Sequence, residues 1–354
     1  MKKVALITHS FHEKTRSAEV YMNEIFEEKD LYKFEIFYNH EWRGAEEKYL
    51  FNTVIKDFDA VIIAQIISKN ILDHIHCENI IFMPMYDSML DFSYKKKELW
   101  LLLAGLKIIS PTKKMSELLR NNGLDSFNIK YFPETNNYSV PNFKKIFFWN
   151  RVESINFDIV IKLIKNFKYS NLNIHKKFDP GQEPILPTKN QVKEYKVTYT
   201  DWFKDREEYL VELSKYGLFI APRPFEGTGI ASFMDALKRG MIVIAPNNSP
   251  YDEYIVNHEN GILYDLNNPE KIDFTKLDLN QISRNAFKSV DKGRKDWKDS
   301  RESLLNYIFE YKHFPNSLIY KNNLNMIIND KWYLFGMLNR SQKFKSIFKF
   351  LFLL

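Results

Sequence analysis

The stretch GLFIAPRPFEGTGIASFMDALKRGMIVIAP, residues 217–246, decides the fold. It sets an apolar run, a glycine-containing turn, a helix-like segment and a second apolar run in series. Short continuous apolar strands joined through a helix argue for parallel strands covered on both faces. Gly227 and Gly229 let the backbone of the turn approach a ligand closely. The helix beginning near Ile230 directs its free N–H groups back at that turn, where a phosphate or diphosphate would sit. A Gly-x-Gly alone is most often just a turn, so the flanking acids carry the weight. Glu226 precedes the turn and Asp235 lies in the helix. A carboxylate accepts hydrogen bonds from vicinal hydroxyls, which is how a sugar or ribose is held. A second reading stands for Asp235, as a helix-surface acid paired with Lys238 or Arg239.

The same alternation extends in both directions. Upstream, strands are expected at 3–9, 33–38, 60–65, 80–85, 106–110 and 129–133, with helical patterns near 16–28, 45–57, 94–104 and 111–122. The segment PETNNYSVPNFKK, 133–145, is rich in Pro and Asn, lacks periodicity and reads as a linker. The pattern restarts with strands at 145–150, 195–200, 217–222, 241–246 and 261–265, and helices near 156–168, 205–215, 230–239 and 281–292. The expected domains are therefore 1–140, 141–312 and a helical tail, 313–354. Open α/β sheets bind ligands outside the carboxyl ends of their strands, so two such domains place the expected site in the cleft between them.

A chain of 354 residues suits two domains. Its net charge of +6 favours a phosphate-bearing ligand or an anionic surface. Lys and Arg are dispersed without a nucleic-acid motif, so nucleic acid is not an expected partner. The single cysteine, Cys77, rules out an intrachain disulfide and fits a reducing compartment. MKKVALITHSF reads as a first strand rather than a signal peptide, and no apolar run is long enough for a transmembrane helix.

The stretch from Glu226 to Gly240 resembles the donor-binding motif of retaining GT-B glycosyltransferases (glycosyl transferases group 1), particularly the bacterial surface-polysaccharide subgroup. Glu226-Gly227-Thr228-Gly229, Asp235-Ala236 and Gly240 fit the pattern; VIAPNNSPYDEYI, HENGILYD and FFWNR (147–151) add to it. The resemblance implies an α/β GT-B architecture of two Rossmann-like parallel-sheet domains. It implies that Glu226 contacts the donor sugar and acts in catalysis. The amides of Gly227, Thr228, Gly229 and Ile230 would cradle the diphosphate, Asp235 would hold the ribose, and Arg151 would neutralise the leaving group. Arg223 is a candidate supporting cation or a solvated arginine. Thr200 and Trp202 are candidates for the base pocket, Trp202 by stacking or else as a buried structural ring. Eight residues, not seven, separate the acids here, the second acid is Asp rather than Glu, and RVESINFD (151–158) holds no lysine a few residues after Arg151.

On the acceptor side, His9, His12 and Asp87 follow predicted strands. PMYD resembles an element of the polysaccharide subgroup, and Asp87 would orient the acceptor hydroxyl or take its proton. The histidines are acceptor-side candidates or solvated and capping residues. His74, His76 and Cys77 lack a second cluster and are not expected to bind metal. The tail 340–354 alternates lysines with Phe and Ile, which suits peripheral contact with an acidic membrane or a helix folding back on the first domain. The expected function is metal-independent, cofactor-free transfer of a sugar from a nucleoside-diphosphate donor to a surface glycan, free or lipid-linked (capsule, O-antigen or lipopolysaccharide). It is expected in the cytoplasm or peripherally on the inner face of the membrane. Two alternatives share these features: a non-hydrolysing nucleotide-sugar epimerase, and a non-catalytic nucleotide-sugar binding subunit.

Overall fold

A computed structural model gives the architecture. It describes residues 1–310, apart from 44–45, 85–102, 104–105, 122–123, 136, 151–154, 177–185, 202, 222, 224–230 and 249. The helix expected at 94–104 (save Leu103) and the tail 313–354 lie outside the described residues. The chain divides into two compact units, Met1–Tyr131 with the helix residues from Lys295, and Phe132–Arg294.

The N-terminal unit carries the strands β1 (Lys2–His9), β2 (Tyr32–Asn39), β3 (Ile55–Lys56), β4 (Ala60–Gln65), β5 (Ile75–His76), β6 (Ile80–Pro84), β7 (Lys107–Ser110) and β8 (Phe127–Asn128). Its helices are α1 (His12–Thr15), α2 (Ser17–Ile25), α3 (Lys69–Asp73) and α4 (Lys113–Asn121). Six strands form one sheet in the order β2-β1-β4-β6-β7-β8, and every pairing is parallel. Val4–Ile7 of β1 and Val61–Ile63 of β4 are buried, as expected where helices cover both faces. At the edge, β2 alternates half-buried Tyr32 and Phe34 with exposed Lys33 and Glu35. The strand order reverses between β1 and β4, so the sheet's switch point lies there.

The helix expected at 45–57 does not form. A short 3₁₀ turn, Glu47–Tyr49, and strand β3 take its place. The backbone of Phe51 is claimed by side chains: its N–H donates to Glu41 Oε1 (3.1 Å) and its C=O accepts from Asn70 Nδ2 (2.8 Å). Both groups are thereby lost to a helical ladder. The strand expected at 129–133 moves upstream, and only Ile129 continues the bonding to β7, through Ser110 O (3.0 Å).

The C-terminal unit carries β9 (Lys145–Trp149), α5 (Phe157–Ile164), β10 (Asn171–His175), α6 (Lys189–Glu194), β11 (Val197–Thr200), α7 (Arg206–Leu213), β12 (Leu218–Ile220), α8 (Ala231–Leu237), β13 (Ile242–Pro246), α9 (Tyr251–Tyr254) and β14 (Ile262–Tyr264). Its parallel sheet runs β11-β10-β9-β12-β13-β14, with the switch point between β9 and β12. The strands behave as the apolar runs predict: Ile146–Phe148, Leu218–Ile220 and Ile242–Ile244 are fully buried. Helix α5 starts at Asn156, whose Oδ1 accepts from the N–H groups of Asp158 (3.1 Å) and Ile159 (3.2 Å). It buries Phe157, Val160, Leu163 and Ile164 on one stripe. The chain leaves α8 through Gly240 at φ +71, a left-handed residue whose C=O accepts from Ser283 Oγ (2.6 Å).

The last described helix, α10 (Leu279–Phe309), is 31 residues long. Its residues before Lys295 belong to the C-terminal unit and the rest to the N-terminal unit. Its last turn is held by side-chain donors: Ile308 O accepts from the buried Lys107 Nζ (2.8 Å) and from the half-buried Asn79 Nδ2 (2.9 Å). A cation at a helix C-terminus complements the macrodipole, while burial pushes the Lys107 ammonium below its ordinary pKa. No helix among the described residues is long and apolar enough to cross a membrane.

Candidate active site

In the C-terminal unit, β12 delivers the chain to Ala221 at the switch point, and α8 begins at Ala231. Asp235 is buried, 2% exposed. Its Oδ1 accepts from Arg206 Nη2 at 2.8 Å and stands 3.6 Å from Lys238 Nζ. Arg239 reaches the Asp235 main-chain oxygen (2.9 Å), not the carboxylate. The second carboxylate oxygen, Oδ2, is buried without a hydrogen-bond partner among the described residues. Ser232, one turn earlier on the same helical face, likewise holds a buried hydroxyl without a partner among the described residues. Asp235 is thus no solvated surface acid, although Lys238 is one of its neighbours.

Arg206 was not singled out from sequence, and a local signal marks it. It opens α7, directly after the N-cap Asp205, whose Oδ1 accepts from Glu208 N (2.9 Å). A cation at a helix N-terminus opposes the macrodipole. The pairing with Asp235 accounts for the violation.

Around β9 and β10 an aromatic cluster packs the crest of the sheet. Trp149 meets His175 (ring centroids 5.0 Å) and Tyr209 (5.4 Å), and Phe203 stacks on His175 (5.1 Å). Thr200 ends the edge strand β11, and its hydroxyl donates to Asn173 Oδ1 (2.7 Å). That bond ties it to the neighbouring strand, two strands from the switch point. Arg223 is half-buried, and its main-chain oxygen accepts from Tyr251 Oη of α9 (3.2 Å). A groove of 560 Å³ along edge strand β14, lined by Tyr264, Asp265, Lys271, Asp273 and Gln281, is separated from the switch point by β13.

The N-terminal unit has its own switch-point constellation. His9 ends β1, His12 opens α1 and Gln65 ends β4. His12 Nε2 lies 3.2 Å from Gln65 Oε1, and the two imidazoles meet edge-on at 6.0 Å. Gln65 is held at φ +76, a strained conformation for a residue with a side chain. Such strain clusters at working sites, and it falls where an open sheet binds ligands.

Residues 139–288 match the family model of Glycosyl transferases group 1. Among solved structures, the chain is similar to Anabaena Alr3699/HepE in complex with UDP and glucose, at 12% identity over 86% of this chain and 100% of that one, TM-score 0.59. It is similar to sucrose-phosphate synthase from Thermosynechococcus elongatus, at 11% identity over 86% and 100%, TM-score 0.58. It is also similar to the lipopolysaccharide outer core galactosyltransferase WaaB in its apo form, at 14% identity over 87% and 99%, TM-score 0.55. The chain is a glycosyltransferase. At these identities the structural likeness carries the fold, GT-B, and the family match carries the enzyme class. No curated protein matches its sequence.

Of the residues expected at the glycosyltransferase's site, Glu226, Asp87, Arg151, Trp202, Gly227, Thr228, Gly229 and Ile230 lie outside the described residues. Asp235, Arg223, Thr200, His9 and His12 are described, and each stands in the neighbourhood given above. No group of three or more metal-ligating side chains occurs among the described residues. His74 Nδ1 faces Asn70 O (2.8 Å) and Cys77 Sγ donates to Phe58 O (3.4 Å), so both are used in local structure. The sequence holds one Asp-x-Asp, Asp57-Phe58-Asp59. It lies in the turn before β4, at the amino end of the strand, where Asp59 Oδ2 accepts from Lys3 N (2.7 Å).

Proposed function

We propose that this glycosyltransferase moves a sugar from a nucleoside-diphosphate donor to a growing surface glycan, with retention at the anomeric carbon and without a metal. The observation that carries the donor reading is the Asp235 carboxylate. One oxygen is fixed by Arg206, while the other is buried and free of partners among the described residues. A buried acceptor held ready in this way suits a ribose hydroxyl. Glu226 then takes the sugar hydroxyls, and the amides of Gly227–Ile230 with Arg151 and Arg223 meet the diphosphate. Thr200 and Trp202 flank the base.

In the reaction the acceptor hydroxyl oxygen bonds to the anomeric carbon as the bond from that carbon to the diphosphate breaks. The hydroxyl proton leaves to Asp87 or to the departing diphosphate, whose charge is met by preorganised donors and cations. His9 and His12, beside the strained Gln65, serve the acceptor. HepE, held with UDP and glucose, makes UDP the first nucleotide to try. WaaB, a lipopolysaccharide outer core enzyme, supports a surface-glycan acceptor at the cytoplasmic face of the membrane, where the tail 340–354 would touch acidic lipid.

The test is donor turnover with and without a glycan acceptor. Acceptor-dependent release of UDP or GDP supports transfer. A donor converted alone would indicate an epimerase, and a donor bound without turnover a binding subunit. Anomeric configuration of the product, read by NMR, tests retention. Activity abolished by chelator and restored only by Mn²⁺ or Mg²⁺ would refute metal independence. Unchanged liposome co-sedimentation after deletion of 340–354 would refute the membrane contact.

A further inference from the structure

Asn150 is the first residue beyond β9, at the switch point of the C-terminal sheet. It is fully buried, 0% exposed, and neither its amide nitrogen nor its amide oxygen has a hydrogen-bond partner among the described residues. An amide buried with donor and acceptor both unmet lowers stability, and native structures rarely keep one without a use. The chain could have avoided the cost with a leucine of similar volume. The position also adjoins the switch point, where a doubly wound sheet binds its ligand.

The chemistry of the amide narrows the ligand. A phosphate oxygen only accepts, so it would satisfy Nδ2 and leave Oδ1 unmet. A pair of sugar hydroxyls, each both donor and acceptor, satisfies both atoms. We propose that Asn150 reads hydroxyls of the transferred sugar, its Oδ1 accepting from one and its Nδ2 donating to another. This inference rests on the donor reading above and adds a specificity-determining residue to it. A site built to bond a hydroxyl discriminates strongly against sugars that lack it.

The experiment compares wild type, Asn150→Leu and Asn150→Asp by thermal shift with UDP, UDP-glucose, GDP and GDP-mannose. Wild type should be stabilised more by one sugar nucleotide than by its parent nucleotide. Asn150→Leu should melt at or above the wild-type temperature without ligand, because an unpaired buried amide has been removed. It should keep the shift given by the nucleotide and lose the increment given by the sugar, with affinity for the sugar nucleotide falling about tenfold or more. Asn150→Asp keeps the shape but not the donor, and should lose that increment too. A ligand-free Asn150→Leu that melts several degrees low would show a structural amide and overturn the proposal. So would an intact sugar increment in either variant. A wild type unmoved by all four probes would overturn the donor reading itself, and this inference with it.

Discussion

Replacing Arg206 with methionine keeps much of its stem but removes the guanidinium from Asp235. The carboxylate is 2% exposed, and the arginine side chain 21%. Removing one partner of a buried pair costs about 3–5 kcal/mol when the other charge is left uncompensated. Here Lys238 remains at 3.6 Å, and the partial exposure of Arg206 admits water to its place. Both effects reduce the expected loss to roughly 2–3 kcal/mol. In a unit of this size that lowers the melting temperature by about 5–10 °C. The assay is thermal unfolding followed by UDP titration of the folded variant, where affinity should also fall because the carboxylate has lost its anchor. The double variant Arg206→Met/Asp235→Leu, which removes both charges, should recover most of the lost stability. An Arg206→Met protein melting within about 1 °C of wild type, or a double variant as unstable as the single one, would refute the reasoning.

Glu226→Ala should reduce transfer more than tenfold, the effect of losing a charge-assisted contact of about 1.5–3 kcal/mol; a fully active variant would end that assignment. Gly240→Ala should lower the urea midpoint by the equivalent of about 2 kcal/mol, since φ is +71 and a Cβ would stand 2.7 Å from Tyr138 Cε2. The hydrogen bond from Arg301 holds the Glu28 carboxyl below its ordinary value of 4.5. The stability this contributes is complete above that value and is lost as pH falls through the lowered one. Glu28→Gln should therefore flatten the acid limb of the stability curve, by less than about 1 kcal/mol because the carboxylate is partly exposed. His12→Ala should raise the acceptor KM while leaving UDP affinity unchanged, and a shift in UDP affinity alone would place His12 elsewhere.

Strands with continuous apolar runs were legible because burial on both faces leaves no polar positions: KVALITH, AVIIAQ, GLFIAP and MIVIAP all lie in the two sheets. Strand β10 was not, because NLNIH carries polar residues that are themselves buried. Asn173 is tied to Thr198 and Thr200 across to β11, a pairing no local pattern announces. The helix expected at 45–57 failed for a related reason, since its competitor Asn70 lies far away in sequence. The acid at 235 stood out in the sequence from its place after Gly227 and Gly229, but its counterion Arg206 did not. Arg206 is brought there by the crossover through β11 and α7, and only its awkward place at a helix start hinted at a task. Asn150 was hidden entirely, because an asparagine after a strand reads as an ordinary loop residue until its burial is known.

The division of α10 between the two units has a consequence for synthesis. Lys107, Asn79 and the backbone of Ile108 find their partners at Tyr307 and Ile308, some two hundred residues later in the chain. A ribosome working from the amino end therefore releases strands β1–β8 well before the segment that finishes their packing. The first-made half must wait, incomplete, while residues 132–294 are translated. Its closing piece arrives on the same helix that ends that second half.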